Sequence, residues 1–203
     1  METEPIQWQP LRPDQLARVM ADLPAAWWIA GGWAIDLFLG TVTRHHADID
    51  VAVLRRDQRI LRDHLSRWDL QVPAGSEFRP WTPGEDLGAG INSVWCRRAP
   101  DRPWSFEVMF LDADGDDWVY RRATAIRSRL ANLGRRNARG LSYLSPEIQL
   151  LFKAKYAGVG KNEADFARAL PRLHPAERAW LADALACEFP AGHPWVGRIA
   201  ALT

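Results

Sequence analysis

The sequence predicts an α/β (α+β) fold: a mixed-sheet domain over residues 1–125, followed by a small C-terminal helical bundle over residues 126–203. Three observations predict it. Short apolar runs alternate with helical patterns up to about residue 125, the helical period takes over beyond it, and no internal repeat or low-complexity tract interrupts either half. A chain of 203 residues is long enough for a main domain with a small appended one.

The elements follow in order. PDQLARVMADL (13–23) reads as a helix, with Pro13 in its first turn, Leu16, Val19, Met20 and Leu23 on one face, and Pro24 after its end. AWWIA is a short buried strand broken by Gly31-Gly32, and WAIDLFL is a short helix stopped by Gly40. ADIDVAVL (47–54) is a strand, DQRILRDHLSRW (57–68) an amphipathic helix and LQV a short strand. Residues 73–92 are rich in Gly, Pro and acids and read as a long loop or mobile flap. SVWCRR and SFEVMFLD are strands, DADGDD is an Asp-Gly turn, and WVYRR is one more strand. From 118 to 146 there are seven arginines and no acid, which reads as a connection between subdomains. SPEIQLLFKAKY, with Ser145 as N-cap and Pro146 at the first position, then NEADFARAL and PAERAWLADALACEF, are helices, and the stretch after Pro190 is a tail.

Composition narrows the function. A net charge of +1 excludes bulk attraction to nucleic acid or a membrane surface. Cys96 and Cys187 show neither disulfide nor metal-ligand spacing. METEPIQWQP has no apolar core for a signal peptide, and the longest apolar run, Ala25 to Ile35, is far short of the ~20 residues a membrane span needs. A cytoplasmic protein with no membrane partner is the expectation. Of the 11 tryptophans, Trp27, Trp28 and Trp33 read as semi-buried filler.

The chemistry concentrates between Gly31 and Val53. On a strand, residues two apart share a face, so Asp48 and Asp50 are expected side by side while Ile49 and Val51 enter the core. Two such carboxylates repel, and a cation between them relieves the repulsion; Mg²⁺ commonly takes one or two carboxylates plus substrate phosphates. Gly31-Gly32 at a helix start offers backbone N–H groups to phosphate oxygens. Neither dipeptide nor tripeptide is specific alone; together they read as a nucleoside triphosphate site. Lys153 is a candidate for the phosphates, with Lys155 and Lys161 nearby.

Gly31-Gly32-Trp33-Ala34-Ile35-Asp36, then Leu39-Gly40, then Val42-Thr43-Arg44-His45-His46-Ala47-Asp48-Ile49-Asp50 resembles the nucleotidyltransferase superfamily that includes DNA polymerase beta. It is most similar to aminoglycoside nucleotidyltransferases of the 2″ type. The resemblance implies Mg²⁺, two ions, held by Asp48, Asp50 and a third carboxylate from a later strand. Glu107 in SFEVMFLD is the candidate, with Asp112 as runner-up. It further implies that Asp48, Asp50 and Glu107 are catalytic as well as metal-binding, and that Gly31, Gly32, Arg44 and Lys153 bind nucleotide. His46 matches the family histidine and is implied in a supporting hydrogen bond, whereas Asp165 in KNEADF reads as structural or supporting on its own residues. The implied reaction is transfer of a nucleoside monophosphate, AMP from ATP, to a hydroxyl of a small aminoglycoside-like acceptor, as in antibiotic resistance.

Two alternatives stay open: a toxin–antitoxin-type enzyme modifying protein or tRNA, so that a nucleic acid acceptor is not excluded, and a non-catalytic nucleotide-binding module. An acidic wall from DADGDD with Glu85 and Asp86 suits a polycationic acceptor. The arginines from Arg121 to Arg139 suit an anionic one. DADGDD itself lacks the twelfth-position Glu of an EF-hand, that place being Ala123, and reads as a hairpin turn.

Overall fold

The structure, a computed structural model, describes residues 7–202; the first six residues of the stretch judged unlike a signal peptide, and Thr203, lie outside the described residues. Along the chain come α1 (Pro13–Val19), β1 (Trp27–Ala30), α2 (Gly31–Leu39), β2 (Asp50–Leu54) and α3 (Gln58–His64). Seven strands follow in β3 (Asp69–Ala74), β4 (Glu77–Pro80), β5 (Ser93–Arg97), β6 (Trp104–Asp114), β7 (Asp117–Val119), β8 (Arg127–Arg129) and β9 (Gly134–Arg136). The chain closes with β10 (Ser142–Leu144), α4 (Pro146–Ala154), α5 (Gly160–Ala169), α6 (Pro175–Glu188) and α7 (Pro194–Ala200).

This is the expected mixed α+β architecture. Eight strands run in the order β4-β3-β5-β6-β2-β1-β10-β9, with β7 and β8 continuing from β6. β2 lies parallel to β6, β1 lies parallel to β10, and the other pairs are antiparallel. Val51, Ala52, Val53 and Leu54 are all buried, as a central strand with a neighbour on both edges and cover on both faces requires. α2 packs against α4 and α5, and α6 packs against α4 and α7. The helical part therefore sits beside the start of β2.

Several expectations are corrected. β2 begins at Asp50 rather than near Ala47, because β1 ends at Ala30, its partner in register. The segment before Asp50 runs along α2, held on Asp36 through Thr43 and His46, instead of continuing the β1 ladder. Residues 73–92 are not all loop: β3 and β4 form a hairpin through Gly75. The strand read in WVYRR stops at Val119. The chain after residue 125 is not helical throughout, since β8, β9 and β10 precede the helices; Arg129 of β8 faces Asp117 of β7 in register and bonds it at 2.9 Å. The tail after Pro190 contains α7, whose Pro194 takes the first position and whose His193 caps the Trp195 N–H. Trp195 is fully buried there, stacked on Phe166 with ring centroids 4.0 Å apart. DADGDD is the hairpin turn expected, between β6 and β7.

Candidate active site

Asp50 opens β2 and stands in register with Glu107 on the neighbouring parallel strand. The Glu107 N–H donates to the Ile49 carbonyl at 3.0 Å, fixing that register where Asp48 enters. Asp48 precedes β2, and its charge acts on both Asp50 and Glu107, so the three carboxylates are neighbours. Burial, then Glu107 and Asp48, push the Asp50 carboxyl up to about 8. Burial also raises Glu107, opposed by side-chain hydrogen bonds from Ser93 and Trp95. Two acids resisting ionisation side by side are a donor set that fits a divalent cation. Among the described residues, however, no three Asp, Glu, His or Cys side chains converge closely enough to hold a metal alone.

Gly31 starts α2 with φ +66°, and a Cβ there would lie 2.0 Å from Asp50 Oδ2. The backbone thus approaches the carboxylate as only glycine permits. The Gly31 N–H donates to Gln149 Oε1 of α4 at 2.8 Å. A Cβ on Gly32 would lie 2.1 Å from Arg44 Nη2 and 2.7 Å from His46 Nδ1, so both side chains press onto that glycine.

The remaining motif residues clamp the loop that delivers Asp48. Asp36 accepts from the Thr43 N–H at 3.0 Å, from Thr43 Oγ1 at 2.6 Å and from His46 Nε2 at 2.6 Å. His46 stacks on Trp33 at 4.2 Å, and burial lowers its pKa against the pull of Asp36. Arg44 donates through Nε and Nη2 to both oxygens of Asp165 at 3.1 and 3.0 Å. Lys153 Nζ sits 2.9 Å from the same carboxylate. Asp165 is fully buried; burial alone would raise its pKa, but these two cations hold it below the ordinary range. Arg44 and Lys153 thus meet on a buried carboxylate that ties the loop to α4 and α5, while Lys153 and Lys161 still act on Asp50.

Asp112 bonds Arg55, which also donates to the Ile91 carbonyl at 2.7 Å and so holds the 85–92 loop. This leaves Glu107 as the carboxylate beside Asp50. Much of the expected acidic wall and basic stretch is paired locally, two pairs joining one to the other and the rest reaching outside both. Asp114 pairs with Arg127, Asp117 with Arg129, Glu188 with Arg122, Glu177 with Arg135, Glu85 with Arg79 and Asp86 with Arg59. One hollow of about 470 Å³, lined by Arg12, Trp33, Asp36 and Arg139, lies behind the Asp36 clamp rather than over the acids.

Sequence reading missed Gln149, Ser93 and Trp95. The first was signalled by its place one helical turn before Lys153, the other two by strand alternation opposite Glu107.

Residues 14–78 match the family model described as aminoglycoside-2″-adenylyltransferase. No curated protein matches the chain. Among solved structures, the chain is similar to the antibiotic-resistance factor ANT(2″)-Ia in solution, at 16% identity and TM-score 0.56, covering 87% of this chain and 90% of that one. The crystal structure of ANT(2″)-Ia with adenylyl-2″-tobramycin aligns at 16% identity and TM-score 0.56, over 84% and 93% of the two chains. The lincosamide adenylyltransferase LnuA bound to lincomycin aligns at 15% identity and TM-score 0.54, over 80% and 96%. At such identities the likeness is one of fold.

Proposed function

From a chain with the nucleotidyltransferase fold, matched over residues 14–78 by the aminoglycoside-2″-adenylyltransferase family, we propose Mg²⁺-dependent transfer of AMP from ATP to a hydroxyl of a small molecule of the aminoglycoside or lincosamide kind. The observation that carries it is the registered pairing of Asp50 with Glu107, with the Gly31 backbone against the Asp50 carboxylate. Asp48 and Asp50, shared with Glu107 and the nucleotide's phosphates, would hold Mg²⁺, which when bound neutralises the triphosphate and acidifies the hydroxyl. Glu107, its proton affinity raised by burial, accepts the hydroxyl proton. The acceptor oxygen bonds to the α-phosphorus, the bond to the β-phosphate oxygen breaks, and pyrophosphate leaves. Lys161 and Lys153 place positive charge on the phosphate side of Asp50. Local pairing of Arg122, Arg127, Arg129 and Arg135 supports a small acceptor over tRNA.

The test incubates the purified protein with ATP, Mg²⁺ and tobramycin, lincomycin or total tRNA. Pyrophosphate release and a mass gain of one AMP on the small molecule, both lost in Asp50→Asn, are expected. Transfer only to tRNA, or an Asp50→Asn protein that still binds Mg²⁺·ATP normally, would overturn the proposal.

A further inference from the structure

The sheet does not end its chemistry at Glu107. One row crosses it on a single face: Asp50 pairs with Glu107, Glu107 with Trp95, and Trp95 with Gln71. Trp95 donates a side-chain hydrogen bond to Glu107, so the carboxylate and the indole are held together. Around Trp95 stand three more rings, with centroids at 4.9 Å for Trp8, 5.0 Å for Phe78 and 5.4 Å for Trp104.

Simple alternation puts Trp104 on the face opposite Glu107. A register shift between Cys96 and Arg97 pairs Arg97 with Trp104 and turns the tryptophan back onto the Trp95 side. The Arg97 guanidinium then sits 4.4 Å over its ring. Trp8, Phe78 and Trp95 remain partly exposed, so this is an open shelf rather than closed core.

The charges around the acids are asymmetric. Lys153 and Lys161 act on Asp50 from the helical side. On the shelf side, Asp69 stands in register with Arg97 and is taken by it at 2.6 Å. A polyammonium ligand would find that carboxylate engaged, whereas a ligand with an apolar face would find the partly exposed rings of Trp8, Phe78 and Trp95, backed by buried Trp104.

We infer that the Trp8–Phe78–Trp95–Trp104 shelf is the acceptor subsite, and that it takes a hydroxyl-bearing molecule by an apolar face, the C–H face of a sugar or an apolar ring, rather than by clustered ammonium groups. This rests on the nucleotidyl-transfer reading above. With the acceptor on Trp95, its hydroxyl reaches Glu107 from the side away from the phosphate-binding lysines.

The test measures binding to protein loaded with Mg²⁺ and a non-hydrolysable ATP analogue. The probes are lincomycin, phenyl β-glucoside and tobramycin. Lincomycin and phenyl β-glucoside are expected to bind with little salt dependence, and tobramycin more weakly. Phe78→Ala is expected to weaken the first two by about tenfold, the scale of losing one ring contact with its buried area, while nucleotide affinity moves less than twofold. Phe78→Leu, which keeps apolar volume and guards against a folding artefact, recovers part of the loss. The inference is overturned if neither apolar-faced probe binds, if binding ignores Phe78→Ala in a protein that melts normally, or if tobramycin binds tightest with steep salt dependence. A nucleotide affinity that survives Asp50→Asn overturns the nucleotidyl-transfer reading instead, and this inference with it.

Discussion

Gly31 and Gly40 bracket α2 and separate backbone strain from active-site displacement. Both adopt positive φ, +66° and +75°, where an L side chain costs roughly 1–2 kcal/mol. A Cβ at Gly40 meets nothing within 4 Å, so Gly40→Ala carries the strain alone. At Gly31 the new Cβ lies 2.0 Å from Asp50 Oδ2, and real contacts do not fall under 3.0 Å, so the carboxylate has to withdraw by about 1 Å. Its in-register neighbour is Glu107, so that retreat disturbs the acid pair. A misplacement of about 1 Å at reacting groups costs on the order of 10²-fold in rate. Both variants are expected to melt about 2–8 °C below wild type, given the usual shift of about 2–4 °C per kcal/mol at this size. Only Gly31→Ala is expected to lose about 10²-fold in kcat, read as pyrophosphate release. Wild-type turnover in Gly31→Ala, or an equal loss in Gly40→Ala, would refute the reasoning.

Three further outcomes follow from the same geometry. Asp165→Ala leaves Arg44 and Lys153 without their shared carboxylate and should lower unfolding free energy by about 3–5 kcal/mol in denaturant titration; a loss under about 1 kcal/mol would show that the hub is not structural. Asp36→Ala removes three hydrogen bonds from the 43–46 loop, so limited proteolysis should cut there first while the core melts as a unit; an unchanged digest would count against the clamp. Asp50 is raised from 3.8 to about 8, so between those values the folded chain keeps a proton that the unfolded chain has lost. Stability in EDTA should therefore fall as pH rises from about 4 to about 8, and Asp50→Asn should flatten the slope; a melting temperature that climbs over that range would contradict it.

The acids were legible in the sequence because strand alternation and a glycine turn leave local marks. Asp48 and Asp50 stand two apart, Gly31 precedes them, and Glu107 is a lone acid in an apolar strand. The partner of Asp50 was not legible locally, since parallel pairing joins residues 57 positions apart and leaves no period to read. Arg44 and Lys153 could be recognised as cations near the site, but not that one buried carboxylate would claim both. That pairing depends on how α5 docks beside α4. Trp104 escaped for a different reason: it precedes SFEVMFLD, the strand as read, and is brought into β6 beside Trp95 only by the register shift at Cys96/Arg97. α7 escaped because its stability comes from burying Trp195 against Phe166, a tertiary contact rather than a helical period.

These differences sort by what each part of the chain does. Residues 31–50 are bound together by one set of contacts, in which Asp36, Thr43 and His46 clamp a loop, Gly32 lets Arg44 and His46 close on α2, and Asp165 ties the loop to the helices. Change in any of these moves Asp48 and Asp50, so the unit constrains itself and can be matched as a pattern. The shelf beside Glu107 draws on Trp8, Phe78, Trp95 and Trp104, from four separate segments, and three of these positions fall outside the matched residues 14–78. Nothing in the clamp depends on those rings. On the proposed reading, the clamp and the shelf can therefore vary independently, and a family match confined to the clamp carries little information about the shelf.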